Sequence, residues 1–159
     1  MKRLTCMLLL GAVVAIVIPA ARVWAQSPDP VIGTWTLNVE KSKFSTAVPK
    51  SEKRTYAGSG DTISQTIDRV DSQGKPLHVE VTTKYDGKDY PITGNPEADT
   101  VALTRVDTHT TRATLKKGGK PVMHSERSVS RDGKTMTVRV KGTNARGEKV
   151  NNVLVYDKQ

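Results

Sequence analysis

The chain is short of the residues that usually staple or arm a small protein. Its 159 residues include one cysteine, one phenylalanine, two tryptophans and four tyrosines. The single cysteine, Cys6, precedes residue 25, inside the leader described below, so the chain beyond it can form no disulfide and offers no thiol nucleophile. That usage suits a bacterial periplasm or exterior better than a disulfide-stapled animal domain. The three histidines, His78, His109 and His124, are far apart, and none shows metal-ligand spacing. There is no Gly-x-Ser-x-Gly elbow and no phosphate-binding loop. The acids around Asp86, Asp89 and Glu97 lack the spacing of a calcium loop and read as hairpin residues. A non-enzymatic protein without metal or cofactor is therefore expected.

The first 25 residues carry the marks of an export signal. Lys2 and Arg3 give a positive start, Leu8 to Ile18 an apolar run, and Val23-Trp24-Ala25 a small-x-small cleavage site. The run is short for a membrane span and gives way to polar chain, so removal after Ala25 and a periplasmic or secreted location are expected. Taking 25 residues from 159 leaves 134, the size of one domain, 26–159. That portion holds 22 basic and 16 acidic residues, a formal charge of +6. A basic excess attracts anionic partners, but here the basic residues are dispersed among acids along the whole chain. Together with the scarcity of aromatics to stack on bases, this argues against nucleic acid. What remains is solvated charge or weak contact with anionic lipid surfaces.

Leucine, isoleucine, valine and phenylalanine supply 25 of the 134 residues, just under the roughly 20% that separates ordered from disordered composition. Their placement decides for a fold, because they fall at alternate positions. In Gly33 to Val39, Trp35, Leu37 and Val39 share one face and Thr34, Thr36 and Asn38 the other, the period of a half-buried strand. The indole of Trp35 brings a large apolar surface and an N–H that needs a partner, which suits a plug at one end of a core. Leu77, Val79, Val81 and Tyr85 alternate in the same way, as do Met136, Val138 and Val140.

Further strands are predicted over 50–57, 62–70, 88–92, 100–106, 110–117, 121–130 and 149–157. They are separated by turn formers such as Gly58-Ser59-Gly60, Asp86-Gly87, Gly118-Gly119 and Asp132-Gly133. Pro91 argues for an edge or end position. The connector Lys41 to Pro49 places Phe44 where it can fold back over an open barrel end. The facing of 121–130 stays open, since either phase puts charge inside.

About ten strands joined by tight turns, with no helical stretch after the leader, predict an all-β, up-and-down antiparallel barrel that removes its own edges. A two-sheet sandwich is the alternative if the loop from Gly94 to Asp99 crosses between sheets. An outer-membrane barrel would need an outward apolar band with aromatic girdles, which this pattern does not provide. With so few apolar residues the interior must be thin and partly polar.

The opening Gly33-Thr34-Trp35-Thr36-Leu37 resembles the Gly-x-Trp start of the lipocalin and fatty-acid-binding superfamily, the calycins. The segments Asp132 to Val138 and Val155-Tyr156-Asp157-Lys158 are similar to the closing hairpin of fatty-acid-binding proteins. The chain also looks like secreted bacterial proteins with segments of the type Tyr85-Asp-Gly-Lys-Asp-Tyr-Pro91. The resemblance implies a ligand-holding barrel. It does not carry over the carboxylate clamp of fatty-acid-binding proteins, an Arg-x-Tyr pair on the last strand, because Leu154 stands at the arginine position before Tyr156. The connector from Lys41 to Lys50 is likewise too short for their helix-turn-helix lid.

If Tyr156 faces inward, so do Asn152 and Leu154, and inward Val101 and Leu103 bring Arg105 with them. Arg105, Tyr156 and Asn152, with Tyr85 and Trp35, are then the candidate ligand-binding residues, a few polar groups in an apolar cup. The competing account puts Arg105 at a strand end in solvent and gives Tyr156 a purely structural role. The function expected is binding of a small apolar or amphipathic molecule, such as a fatty acyl chain, inside the barrel. The alternative is a ligand-free interaction module that uses its sheet face or basic surface.

Overall fold

Alternation at period two leaves each strand with one apolar face, and ten such faces in sequence can all be buried only by curling round one another. The computed structural model, which describes residues 28–159, shows this solution. The strands are β1 (Gly33–Lys43), β2 (Ser51–Ser59), β3 (Thr62–Val70), β4 (Pro76–Lys84), β5 (Asp86–Thr93), β6 (Thr100–Arg105), β7 (Thr110–Lys117), β8 (Lys120–Val129), β9 (Thr135–Thr143) and β10 (Lys149–Lys158). Each pairs antiparallel with the next, and β1 also pairs with β10, closing the barrel. The loop from Gly94 to Asp99 joins neighbouring strands, so no second sheet forms. Among the described residues there is no helix. The leader and its cleavage site lie outside the described residues.

The inward phase follows the sequence pattern on most strands. Leu77, Val79, Val81 and Tyr85 turn inward, as do Met136, Val138 and Val140, and Val150, Asn152, Leu154 and Tyr156. On β8 the inward residues are Met123, Ser125, Arg127 and Val129, with His124 outside against Thr114. The charge that either phase required inside is thus Arg127. Asp86 and Gly87, expected as a hairpin turn, instead begin β5, with Asp86 paired to Thr104 and Gly87 at φ +75°. Tyr85 alone separates β4 from β5, whose ladder is limited to Glu80–Thr93 and Val81–Ile92. Gly142 on β9 allows a close approach of strands, since a Cβ there would lie 2.2 Å from the Val122 carbonyl oxygen.

β1 departs from expectation after Leu37. Its register with β10 slips between Asn38 and Lys43. The Lys41 N–H donates to Asn38 Oδ1 at 3.0 Å, the Ser42 hydroxyl donates to the Asn38 carbonyl at 2.6 Å, and the Val155 N–H donates to Ser42 Oγ at 2.9 Å. These bonds hold a bulge that throws Val39 outward, 39% exposed, instead of beside Leu37. The strand then resumes as far as Lys43, which shortens the connector, and Phe44 packs against the core. Pro91 lies within a strand paired on both sides, yet it is the last β5 residue paired to β6 and stands just outside the two-pair ladder to β4. Its missing N–H is tolerated there.

The apolar core gathers at the end of the barrel where β1 begins. Trp35, Tyr156 and Met136 are fully buried there beside Val31, Leu37 and Val129. Trp35 Nε1 donates to the Val31 carbonyl at 2.7 Å, so the segment before β1 folds under the barrel and the indole closes that end. Lys158 Nζ sits 5.0 Å from the centre of the Trp35 ring. Replacing Trp35 by alanine removes the largest side chain of this plug and is expected to cost about 3–5 kcal/mol. Trp35→Phe, which orphans the Val31 carbonyl, should cost about 1–3 kcal/mol. Urea unfolding followed by circular dichroism checks both, and near-wild-type midpoints would show that Trp35 does not hold the end closed.

Candidate ligand site

The inner wall carries more charge than its apolar alternation suggests. On β2 the inward phase is Glu52, Arg54 and Tyr56, and on β3 it is Ile63, Gln65, Ile67 and Arg69. Glu52 is almost wholly buried and accepts three hydrogen bonds: from Arg54 Nε at 2.6 Å, from Arg69 Nε, and from the Tyr156 hydroxyl at 2.6 Å. Arg54 also stacks over the Tyr156 ring, 4.8 Å from its centre. Burial pushes the Glu52 carboxyl up, but the two guanidiniums and the Tyr156 hydroxyl outweigh it and bring the pKa down to about 2. Burial, with the Glu52 charge beside it, raises the Tyr156 phenol well above its usual value.

Beyond this cluster the wall is built of small side chains. Thr83 on β4, Thr111 and Ala113 on β7 and Ser125 on β8 line a cavity of about 60 Å³, bounded also by Ile63, Val81 and Leu103. Gln65 Nε2 donates to the Tyr56 hydroxyl at 3.0 Å. Arg127 is 9% exposed and lies over the Tyr56 ring, 4.7 Å from its centre. A larger, more open groove of about 600 Å³ lies at the rim where β2 begins, β3 ends and β4 begins, and takes in Glu52, Arg69 and Leu77 as well as the outward Lys53, Asp68 and His78. Its charged groups already satisfy one another: Asp68 meets Lys53 at 3.9 Å and His78 Nδ1 at 2.7 Å.

The five sequence-predicted residues are distributed over three places. Arg105 and Tyr85 come together near the plugged end, with the guanidinium carbon 3.9 Å from the ring centre. Both bind Asp29, at 2.7 Å from the Tyr85 hydroxyl and 2.7 Å from Arg105 Nη2, and Arg105 remains one-third exposed. Burial, followed by the hydrogen bond to Asp29, pushes the Tyr85 phenol up to about 12. Tyr156 faces inward but gives its proton to Glu52, not to a group beside Arg105. Asn152 also faces inward, and its Oδ1 accepts from the Ser45 N–H at 2.7 Å and the Ser45 hydroxyl at 3.0 Å, fastening the β1–β2 connector. Trp35 is committed to Val31.

Among the described residues no three His, Cys, Asp or Glu side chains converge in a metal-holding group. His109 is half-buried, because its carbonyl accepts the Val129 N–H and draws the β6–β7 turn onto β8.

Residues that the sequence did not single out, Glu52, Arg54, Arg127 and Thr111, line or adjoin the cavity. For Arg127 a signal was present, since no phase of its strand keeps charge out. For Glu52 and Arg54 the signal was Tyr56, one phase-step further along the same strand.

No protein-family model and no curated protein matches this sequence. Among solved structures the chain is similar to EF1p2_mFAP2b bound to DFHBI, at 9% identity over 82% of this chain and 94% of that one, with a TM-score of 0.46. It is also similar to the siderocalin Ex-FABP, which functions through dual ligand specificities, at 12% identity over 82% and 74% of the two chains, with a TM-score of 0.38. The barrel of this chain is built of ten antiparallel strands closed in sequence order.

The Glu52 cluster makes stability depend on acid. A carboxyl whose folded pKa lies near 2 contributes stability that is complete above its ordinary value of 4.5 and is lost as pH falls toward 2. The contribution is about 3 kcal/mol. Glu52→Gln should cost about 3–5 kcal/mol at pH 7, because Arg54 is left buried without its counter-charge. The variant should also show a flatter fall of stability between pH 5 and 2. Parallel melting curves for the two proteins across that range would contradict the assignment.

Proposed function

We propose that the protein is an exported binding protein that takes a small amphipathic molecule into its barrel. The observation that carries this is the interior cavity, where apolar side chains from β3, β4 and β6 meet buried polar groups from β7 and β8. Ligand sites have this composition: mostly apolar walls with a few placed polar groups. The groove at the rim is the weaker candidate, because its charges are already paired.

Size narrows the ligand. About 60 Å³ is well under the roughly 300 Å³ at which ordinary small-molecule pockets begin. A short acyl chain fits the space between Ile63, Val81 and Leu103, and a long one would need those side chains to withdraw. The leader ending at Ala25 supports delivery to the periplasm or exterior, so the exported form should begin at Gln26, which intact-mass measurement of protein recovered outside the cytoplasm checks.

Native mass spectrometry of the protein as purified from its host should show a bound small molecule. A fluorescent short-chain acid should titrate with a saturable signal. Neither a bound mass nor saturation with any short-chain probe, charged or neutral, would remove this reading.

A further inference from the structure

We infer that the cavity is a site for a small monocarboxylate whose head is held by Arg127 and Thr111. The inference rests on the reading that the barrel takes its ligand inside, and it assigns the chemical class. Arg127 Nη2 and Thr111 Oγ1 are buried and have no hydrogen-bond partner among the described residues. The two residues are direct cross-strand partners on β7 and β8 with side chains on the same inward face. The Cβ atoms of such a pair stand about 5 Å apart, and both side chains line the same cavity.

The electrostatics of the interior point the same way. A guanidinium keeps its charge at any physiological pH, so burial cannot be relieved by losing a proton. Inside the wall, Glu52 is engaged by Arg54, Arg69 and the Tyr156 hydroxyl, and makes no ion pair with Arg127. Glu126, next to Arg127 in the chain, points outward and pairs with Arg112 at 3.1 Å. Asp29 is taken by Arg105. Water in the cavity would satisfy the geometry of both unpaired atoms but would leave the charge of Arg127 unanswered, whereas an anion supplies hydrogen-bond acceptor and counter-charge together.

Two donors match the two oxygens of one carboxylate, while a tetrahedral dianion would require more. The rest of the cavity is lined by Ile63, Val81 and Leu103, which suit a short apolar tail. The Tyr56 ring under Arg127 holds the guanidinium in place. This is a different solution from a clamp on the last strand, where Leu154 stands.

The test compares butyrate with butyramide, a neutral molecule of the same shape, by following amide shifts of β7 and β8 in the wild-type protein. Butyrate should bind saturably and at least about tenfold more tightly than butyramide, the size expected of a hydrogen bond to a charged group. Arg127→Met should abolish that preference. Thr111→Val, which keeps the side-chain volume and removes the unpaired hydroxyl, should weaken butyrate several-fold without loss of fold. Equal affinities for butyrate and butyramide would overturn the carboxylate assignment and leave the small-ligand barrel standing, and so would a preference that survives Arg127→Met. If that variant does not fold, unchanged butyrate affinity in Thr111→Val overturns it instead. No saturable shift with either probe, combined with native mass spectra free of bound ligand, would overturn both.

Discussion

A single buried carboxylate ties together the strands on either side of the barrel's closing seam. Glu52 sits on β2 and Tyr156 on β10, and β1 lies between them. The hydrogen bond from Tyr156 to Glu52 therefore reaches across the interior from one neighbour of β1 to the other. Arg69 on β3 adds a third strand. Ladder hydrogen bonds alone leave a seam free to slip by two residues, since a two-residue shift preserves the inward phase. A cluster of one acceptor and three donors resists such a shift, because a slip of β10 takes the Tyr156 hydroxyl away from Glu52 and a slip of β3 takes Arg69 away from it. In a chain with so few branched apolar residues, register must be specified by something other than bulk hydrophobicity.

The same scarcity shapes the distribution of volume inside the barrel. The large side chains, Trp35, Tyr156 and Met136, are concentrated at the end where the chain enters β1. Asp29 anchors the entering segment there through Tyr85 and Arg105, and the indole N–H of Trp35 secures it through Val31. Further along the barrel the wall is made of threonine, alanine and serine, whose small side chains cannot fill the space between facing strands. Packing density and cavity are thus two consequences of one composition. The plugged end gives the fold its rigidity, and the sparsely filled middle gives it room.

Much of this was legible in the chain because strand period and hairpin turns are local. The alternation of Leu77, Val79 and Val81, the Gly118-Gly119 turn and the spacing of ten short strands required no knowledge of distant residues. Closure followed from the edge problem alone. The candidate site was less legible, for two physical reasons. Its central hydrogen bond joins residues 104 positions apart, and nothing local marks Tyr156 and Glu52 as partners. Its polar members also break the rule by which inward positions are recognised: Glu52, Arg54 and Arg127 occupy apolar phase positions while carrying charge. Val39 shows the converse, an apolar residue in phase with the core that Asn38 and Ser42 turn outward through a bulge no alternation pattern reveals. Arg105 and Tyr85 were found because they lie in phase with apolar neighbours, but their common partner Asp29 sits in a proline-flanked lead-in with no periodicity to read.

The charged interior also sets a relation between stability and binding. A guanidinium held in the wall without an acid costs the ligand-free barrel stability. A bound anion returns that stability through linkage, by an amount that grows with the ratio of its concentration to its dissociation constant. Apolar burial behaves otherwise: each methylene buried gains roughly 0.8 kcal/mol whatever the charge on the wall, and a cavity of about 60 Å³ has space for few of them. In a barrel this small, affinity must come from the head group more than from the tail. In the proposed complex, Arg127 on β8 gains from the anion the hydrogen-bond acceptor and counter-charge that the wall does not give its Nη2.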